Sequence, residues 1–227
     1  TNNDGIADET EEVCGDLPYI VHEKSGPVIS IQNVDGTYDL EYTILVQNDG
    51  GASGTYDLND IPNFEDDIVI NNGSYTSDNG LSGIISTTNG ATNVLANDQS
   101  LSSGGVDTYT INFNVLLDLS ATSTDGGDNT YTSCGEGNGS NDPSPGEGLY
   151  NQSTLDTNND GIAEETDEVC GGLPYIVHEK SGPVVSIQNV DGTYDLEYTI
   201  IVRNEGGASG TYDLNDIPNF EDDIVIN

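Results

Sequence analysis

Oxygen-bearing side chains recur at the spacing of a metal-binding loop between residues 156 and 167. The segment reads Asp156-Thr157-Asn158-Asn159-Asp160-Gly161-Ile162-Ala163-Glu164-Glu165-Thr166-Asp167. Oxygen ligands at alternate positions, with glycine at position 6, are typical of a twelve-residue calcium loop of the EF-hand type. The candidate ligands are Asp156, Asn158, Asp160, the backbone carbonyl of Ile162, Glu164 and Asp167. We expect Ca²⁺ in preference to Mg²⁺, which requires a tighter octahedron and retains water.

The same pattern occurs at the beginning of the sequence. The candidate ligands there are Asn2, Asp4, the backbone carbonyl of Ile6, Asp8 and Glu11, and the first ligand would precede Thr1. An acidic linker is the alternative, because evenly spaced carboxylates can arise by chance in an acidic chain. Glycine followed by isoleucine at positions 6 and 7 favours the calcium loop.

An internal repeat determines the organisation of the chain. Residues 1–71 recur as residues 157–227, an offset of 157 − 1 = 156, and 71 − 7 = 64 of the paired positions are identical. A period of this length is within the size range of one domain. We therefore interpret the chain as a window of a tandem array that contains one full unit and less than half of the next. A single duplication is the alternative.

The three cysteines also follow the period. Cys14 and Cys170 occupy the same position in successive units, so each unit owns two cysteines. We expect a Cys134–Cys170 disulfide, with the partner of Cys14 upstream of Thr1. The even count per unit and the secreted type of composition favour oxidation, whereas two free thiols in a reducing compartment are the alternative.

The elements that must position these groups are strands. Apolar and polar residues alternate along Thr37–Asn48 and Val106–Leu119, which predicts two long half-buried strands. Shorter strands are predicted at Tyr19–Lys24, Val28–Val34, Ser53–Leu58, Asp67–Asn71, Leu81–Thr87 and Asn93–Asn97. Glycine-containing turns separate them, and no segment has helical periodicity. The sequence therefore predicts an all-β chain with an antiparallel β-sandwich in residues 17–133.

The charge of the chain excludes several classes of function. Asp and Glu total 41, Lys and Arg total 3, and the formal net charge is −38. Nucleic acids and anionic membranes both require a basic surface. No apolar run is long enough for membrane insertion. The acidic residues single out no catalytic pair and the sequence places no Ser-His-Asp triad, so we expect no enzymatic activity.

Three segments of the unit carry a family resemblance. Glu41–Gly51 is a Tyr- and Thr-containing strand that ends in a glycine turn, and Tyr56–Pro62 follows it; Gly105–Ile111 completes the set. They resemble the immunoglobulin-like "conserved repeat domain" of large bacterial surface and adhesin proteins, over about half of each unit. The resemblance implies an immunoglobulin-like sandwich in a surface stalk. The metal loop is similar to the single loops of thrombospondin type 3 repeats and dockerins, which often lie between β-domains.

Together these features divide the chain into four parts. Residues 1–16 end a preceding calcium loop and linker, 17–133 form a sandwich unit, 134–172 form a Gly/Pro/Ser-rich linker with the calcium loop, and 173–227 begin the next sandwich. We predict an extracellular filament or adhesin stalk, at the cell surface or secreted, stiffened by calcium and disulfides. Its expected partners are other copies of the repeat and a cell-surface or carbohydrate target. A calcium-dependent carbohydrate- or ligand-binding module of a secreted protein is the alternative.

Two further features leave alternatives open. Lys24 is the one basic residue of the first unit, and Lys180 is its copy. An ion pair with a nearby acid is the simplest interpretation of Lys24, and an amide bond to Asp or Asn is the alternative. The acidic stretch Asp60–Asp67 is most simply a solvated loop, with a second cation site at the sandwich edge as the alternative.

Overall fold

A computed structural model describes residues 15–120, 130–132, 134–135 and 143–226. Its strands are β1 (Ile20–Ile29), β2 (Thr37–Asn48), β3 (Gly54–Pro62), β4 (Ile68–Ser77), β5 (Ser82–Ile85), β6 (Asn93–Leu101), β7 (Val106–Leu117), β8 (Asn151–Asp156), β9 (Glu165–Val169), β10 (Ile176–Val185) and β11 (Leu196–Asn204). A single 3₁₀ turn, Thr130–Thr132, is the one helical element of the described ranges. Within those ranges, no helix has the length and apolarity that crossing a membrane requires.

Strands β1 to β9 form an antiparallel β-sandwich, which confirms the predicted fold class. The first sheet has the order β1-β2-β7-β4-β5 and the second has the order β6-β3-β8-β9. Strand β2 has the bounds predicted from its alternating pattern. The predicted strand Tyr19–Lys24 and the beginning of the predicted strand Val28–Val34 belong to one strand, β1, with an irregularity in its pairing between Ser25 and Val28. Residues 30–34 form no strand, so the predicted end at Val34 is wrong.

Alternate residues of β2 and β7 form the centre of the core between the sheets. Buried side chains on these strands are Leu40, Tyr42, Ile44, Val46, Tyr109, Ile111, Phe113 and Val115. The Phe113 ring packs edge-on against Phe64, at 5.4 Å between ring centroids, and against Tyr42, at 6.0 Å. The Tyr42 hydroxyl donates a hydrogen bond of 2.7 Å to the carbonyl of Leu149, which ties the core to the chain entering β8.

Part of the predicted linker 134–172 belongs to the sandwich. Strand β8 pairs with β3 from Asp57↔Asp156 to Pro62↔Asn151, and β9 pairs with β8. The core contains Leu149, Leu155 and Leu173, in the same apolar cluster as the buried side chains of the first sheet. The predicted end of the sandwich at residue 133 is therefore corrected, because two of its nine strands follow that point. The inward positions of β8 include Asn151 and Ser153, so the strand shows no apolar alternation in the sequence.

In the second copy, no second sheet packs against the strands in the described chain. Strands β10 and β11 pair in the same register as β1 and β2, but as a two-stranded ribbon. Tyr198 is 36% exposed, whereas the equivalent Tyr42 is fully buried. Residues 210–218 form no strand in the described chain, although the identical residues 54–62 form β3. Burial of this segment therefore requires the complete unit.

Candidate functional site

The predicted calcium loop is the tip of the β8–β9 hairpin. The amide of Glu164 donates to the carbonyl of Leu155 at 2.9 Å, which closes the tip. Gly161 has a φ of +81°, the left-handed conformation that the sharp turn at position 6 requires. The loop thus projects from one sandwich, rather than spacing two sandwiches as the sequence suggested.

Three of the predicted ligands converge at this tip. Carboxylate oxygens of Asp156, Asp160 and Glu164 lie within 4.8 Å of one another. Asp156 organises the turn, because its Oδ1 accepts from the amide of Asn158 at 3.0 Å and its Oδ2 accepts from the amide of Gly161 at 2.8 Å. A hard cation prefers such oxygen donors, and it would offset the mutual repulsion of the three carboxylates.

The other three predicted ligands are the Asn158 side chain, the backbone carbonyl of Ile162 and the Asp167 carboxylate. Asn158 donates its side-chain amide to Glu164 Oε1 at 2.5 Å and accepts at Oδ1 from the amide of Asp160. The Ile162 side chain is exposed. Asp167 is not part of the cluster: it lies in β9, and its Oδ2 accepts from the backbone amide of Lys24 at 2.6 Å. The hairpin register pairs Asp167 with Ser153, which turns position 12 away from the loop.

The second predicted calcium loop lies outside the described residues. Its candidate ligands are Asn2, Asp4, Ile6, Asp8 and Glu11, and Cys14 is outside them as well. The other two cysteines form the predicted disulfide, Cys134–Cys170, with 6.1 Å between their Cα atoms. The bond follows β9 directly, so it holds the hairpin against the segment that carries Cys134. The entropy of closing this loop corresponds to about 3–4 kcal/mol.

A buried hydrogen-bonded chain that sequence reasoning missed lies between β1 and the hairpin. His22 Nε2 is 3.0 Å from Ser153 Oγ, and His22 Nδ1 is 3.1 Å from Glu165 Oε2. The order of groups resembles a nucleophilic triad. However, Ser153 is completely buried and its hydroxyl also donates to the carbonyl of Asp167 at 3.3 Å. A substrate carbonyl would have to open the sandwich to reach it, so the geometry indicates a structural tie between the sheets.

Most of the acidic stretch Asp60–Asp67 is buried, in contrast to the solvated loop that the sequence suggested, and only its Asp66 is exposed. Carboxylate oxygens of Glu65, Asp66 and Asp67 lie within 4.8 Å of one another, and Glu65 is only 1% exposed. Burial, reinforced by a hydrogen bond to Asp66, raises the pKa of Glu65 to about 8. The Glu65 backbone is fixed by its amide, which donates to the carbonyl of Gly148 at 2.9 Å.

The raised pKa of Glu65 predicts a pH-dependent stability. The folded state retains a proton that the unfolded chain releases between its usual pKa of 4.5 and about 8. The stabilising effect is complete below the lower value and is lost as the pH rises through the upper one. We expect the free energy of unfolding to fall by up to about 1.4 kcal/mol per pH unit in this window. In Glu65→Gln the dependence becomes shallower.

Urea unfolding at several pH values between 5 and 8 measures this effect. Glu41→Gln, which changes an exposed carboxylate on β2, is the matched control and should follow the wild-type pH dependence. Parallel wild-type and Glu65→Gln curves would show that Glu65 does not retain the proton.

The junction between the two copies is a direct contact. Leu173 is fully buried in the core of the first unit, and its amide donates to the carbonyl of Tyr131 at 3.0 Å. The rings of Tyr131 and Tyr175 meet edge to face with centroids 6.3 Å apart. The amide of Gly207 donates to the carbonyl of Thr132 at 2.9 Å. The second copy therefore packs on the end of the first through the residues that precede β10 and follow β11.

The calcium loop lies at the opposite end of the first unit. A groove beside the loop is lined by Pro18, Tyr19, Ile20 and Val21 on one side and by Thr157, Glu164 and Glu165 on the other. Leu17 and Tyr19 are the equivalents of Leu173 and Tyr175 one period earlier. They are 81% and 63% exposed. The loop therefore adjoins the end of the unit that corresponds to the contact face of the second copy.

Comparisons with known proteins assign no family to the chain. No protein-family model matches it, and no curated protein matches its sequence.

Proposed function

We propose that the chain is a structural segment of a long extracellular filament or adhesin stalk, built from β-sandwich units that pack end to end and bind calcium. The observation that carries this proposal is the junction. Leu173 is buried against the first unit, while the equivalent Leu17 is 81% exposed at that unit's other end. The unit thus presents one half of the contact at each end.

Such a contact is heterologous, because different surfaces of the unit meet. A heterologous contact repeated without closure generates an open filament. The net charge of −38 supports the same interpretation, since like-charged neighbours repel laterally and remain dispersed. A secreted array also suits the Cys134–Cys170 disulfide, because such bonds persist in oxidising compartments.

Calcium has a specific place in this proposal. Asp156, Asp160 and Glu164 would provide carboxylate oxygens, and the backbone carbonyl of Ile162 is the predicted position 7 ligand. Because the loop adjoins Pro18 and Tyr19, an ion there would fix the end of the unit on which a preceding copy packs. Calcium bound to one unit would therefore stiffen the junction between that unit and the preceding copy.

Calcium should raise the thermal stability of the chain. A loop with a dissociation constant of about 10⁻⁴ M, at a hundredfold excess of free calcium, gains about 2.7 kcal/mol. For a chain of this size, that corresponds to an increase in Tm of about 5–10 °C. Asp160→Ala should abolish the increase, whereas Glu41→Ala removes an exposed charge on another sheet and should preserve it.

Differential scanning calorimetry in calcium and in chelator measures the shift, and isothermal titration measures the binding. Absence of binding, with identical Tm values in both buffers, would show that the loop is an acidic hairpin tip and not a calcium site. The end-to-end packing of units would still stand on the junction contacts.

One observation favours the alternative function, a calcium-dependent carbohydrate-binding module. Tyr19 is an exposed aromatic ring at a groove that also includes Thr157 and Glu164 of the loop. Aromatic faces beside a cation are suited to binding sugars. A glycan array probed with and without calcium distinguishes the two functions: calcium-dependent binding that Tyr19→Ala abolishes supports the module, and no binding supports the stalk.

A further inference from the structure

A lysine and an aspartate meet inside the sandwich without access to water. Lys24 Nζ is hydrogen-bonded to Asp60 Oδ1, and both side chains are 0% exposed. Lys24 lies on β1 of the first sheet and Asp60 lies on β3 of the second sheet, so the pair joins the two layers. The Tyr42 ring covers the amine at 5.6 Å from Nζ to the ring centroid.

The surroundings disfavour the charged forms of both groups. Burial lowers the pKa of Lys24, although the neighbouring Asp60 and Asp167 carboxylates act in the opposite direction. Burial raises the pKa of Asp60, against the effect of Lys24. An ion pair removed from water loses much of its hydration energy. Transfer of one proton from the ammonium to the carboxylate gives a neutral amine beside a neutral carboxylic acid, the reactant pair for an amide bond.

We propose that Lys24 and Asp60 react with each other to form an intramolecular amide bond that links the two sheets covalently. The lone pair of Nζ attacks Cγ of the protonated Asp60, which forms the C–N bond. The C–O bond to the hydroxyl then breaks, and the hydroxyl leaves as water with a proton from the nitrogen. One positive and one negative charge disappear together, and the step requires no oxidant and no other reactant.

Asn151 is placed to assist this step. Its Nδ2 donates to Asp60 Oδ2 at 3.5 Å, and its side chain is completely buried. A donor at this oxygen stabilises the negative charge that develops when Nζ adds to Cγ. Asn151 Oδ1 accepts no hydrogen bond from the described residues, so this buried amide has a free acceptor beside the reacting pair. Asp167 holds the backbone of Lys24 in place through the amide at 2.6 Å.

The second copy provides an internal comparison. Lys180 Nζ is hydrogen-bonded to Asp216 Oδ1, with the same separation of 36 residues as Lys24 and Asp60. Their side chains are 37% and 49% exposed. Water stabilises the charged forms there, and no β8 strand is present on this copy in the described chain. We therefore expect reaction at Lys24 and not at Lys180.

The scarcity of basic residues makes the test direct. Trypsin cleaves after Lys24, Lys180 and Arg203 only. In the full chain, denatured and reduced, an amide at Lys24 blocks the first cleavage. The expected product covers residues 1–180 with a mass lower by one water, together with 181–203 and 204–227. Separate peptides 1–24 and 25–180 with their full masses would overturn the proposal.

Loss of water has a second possible source, because Asp35-Gly36 and Asp49-Gly50 can cyclise to succinimides. Lys24→Arg distinguishes the two, since a guanidinium does not form the amide. We expect the full intact mass and normal cleavage after residue 24 in this variant. A water loss of the same extent in Lys24→Arg and in the wild type would contradict the proposal. Asn151→Ala should leave part of the protein uncrosslinked, measured as the fraction of full intact mass.

Discussion

We expect a polypeptide of residues 15–133 to remain unfolded, and a polypeptide of residues 15–175 to unfold in one cooperative transition. The shorter chain lacks β8 and β9, so β3 loses its partner on one side. It also loses Leu149, Leu155 and Leu173 from the core. Leu-to-Ala truncation at a single buried site already costs about 2–5 kcal/mol, and a typical domain is stable by only about 5–15 kcal/mol.

Circular dichroism and urea unfolding of the two polypeptides measure the difference. A third polypeptide, residues 173–227, should be unfolded or aggregated, because its apolar strands have no facing sheet. A sharp melting transition of the 15–133 polypeptide would mean that β8 and β9 are an appendage of a sandwich that is complete without them.

Leu173→Ala should lower the free energy of unfolding by about 2–5 kcal/mol, while Leu17→Ala changes it by less than about 0.5 kcal/mol. The two residues occupy the same position of the repeat. Leu173 is 0% exposed in the core of the first unit, and Leu17 is 81% exposed. Both leucines are followed by the same Pro-Tyr-Ile sequence, so the difference in the expected loss of stability comes chiefly from burial.

Urea unfolding of both variants of the full chain, followed by circular dichroism, measures the two effects. Equal effects of the two substitutions would show that Leu173 does not dock on the first unit. The proposed end-to-end filament would then lose its principal support.

The sequence by itself determined the features that depend on local pattern. Apolar alternation located β2 and β7, because a strand with one buried face repeats every two residues. The offset of the two copies assigned Cys134 to Cys170 through a count of two per unit. Gly161 at position 6 indicated the turn of the hairpin tip, because φ there must be positive.

Only the tertiary structure decided which polar groups are buried and what they meet. Asn151 and Ser153 face inward in β8, and their partners Asp60 and His22 are far away in the sequence. The same is true of Asp167, which the hairpin register turns from the calcium loop towards Lys24. The type of an apolar residue is enough to predict that it is buried. A polar residue is buried only where a hydrogen-bond partner is available, and here that partner is distant in the sequence. Chain pairing across the two sheets supplies those partners, and no local pattern encodes it.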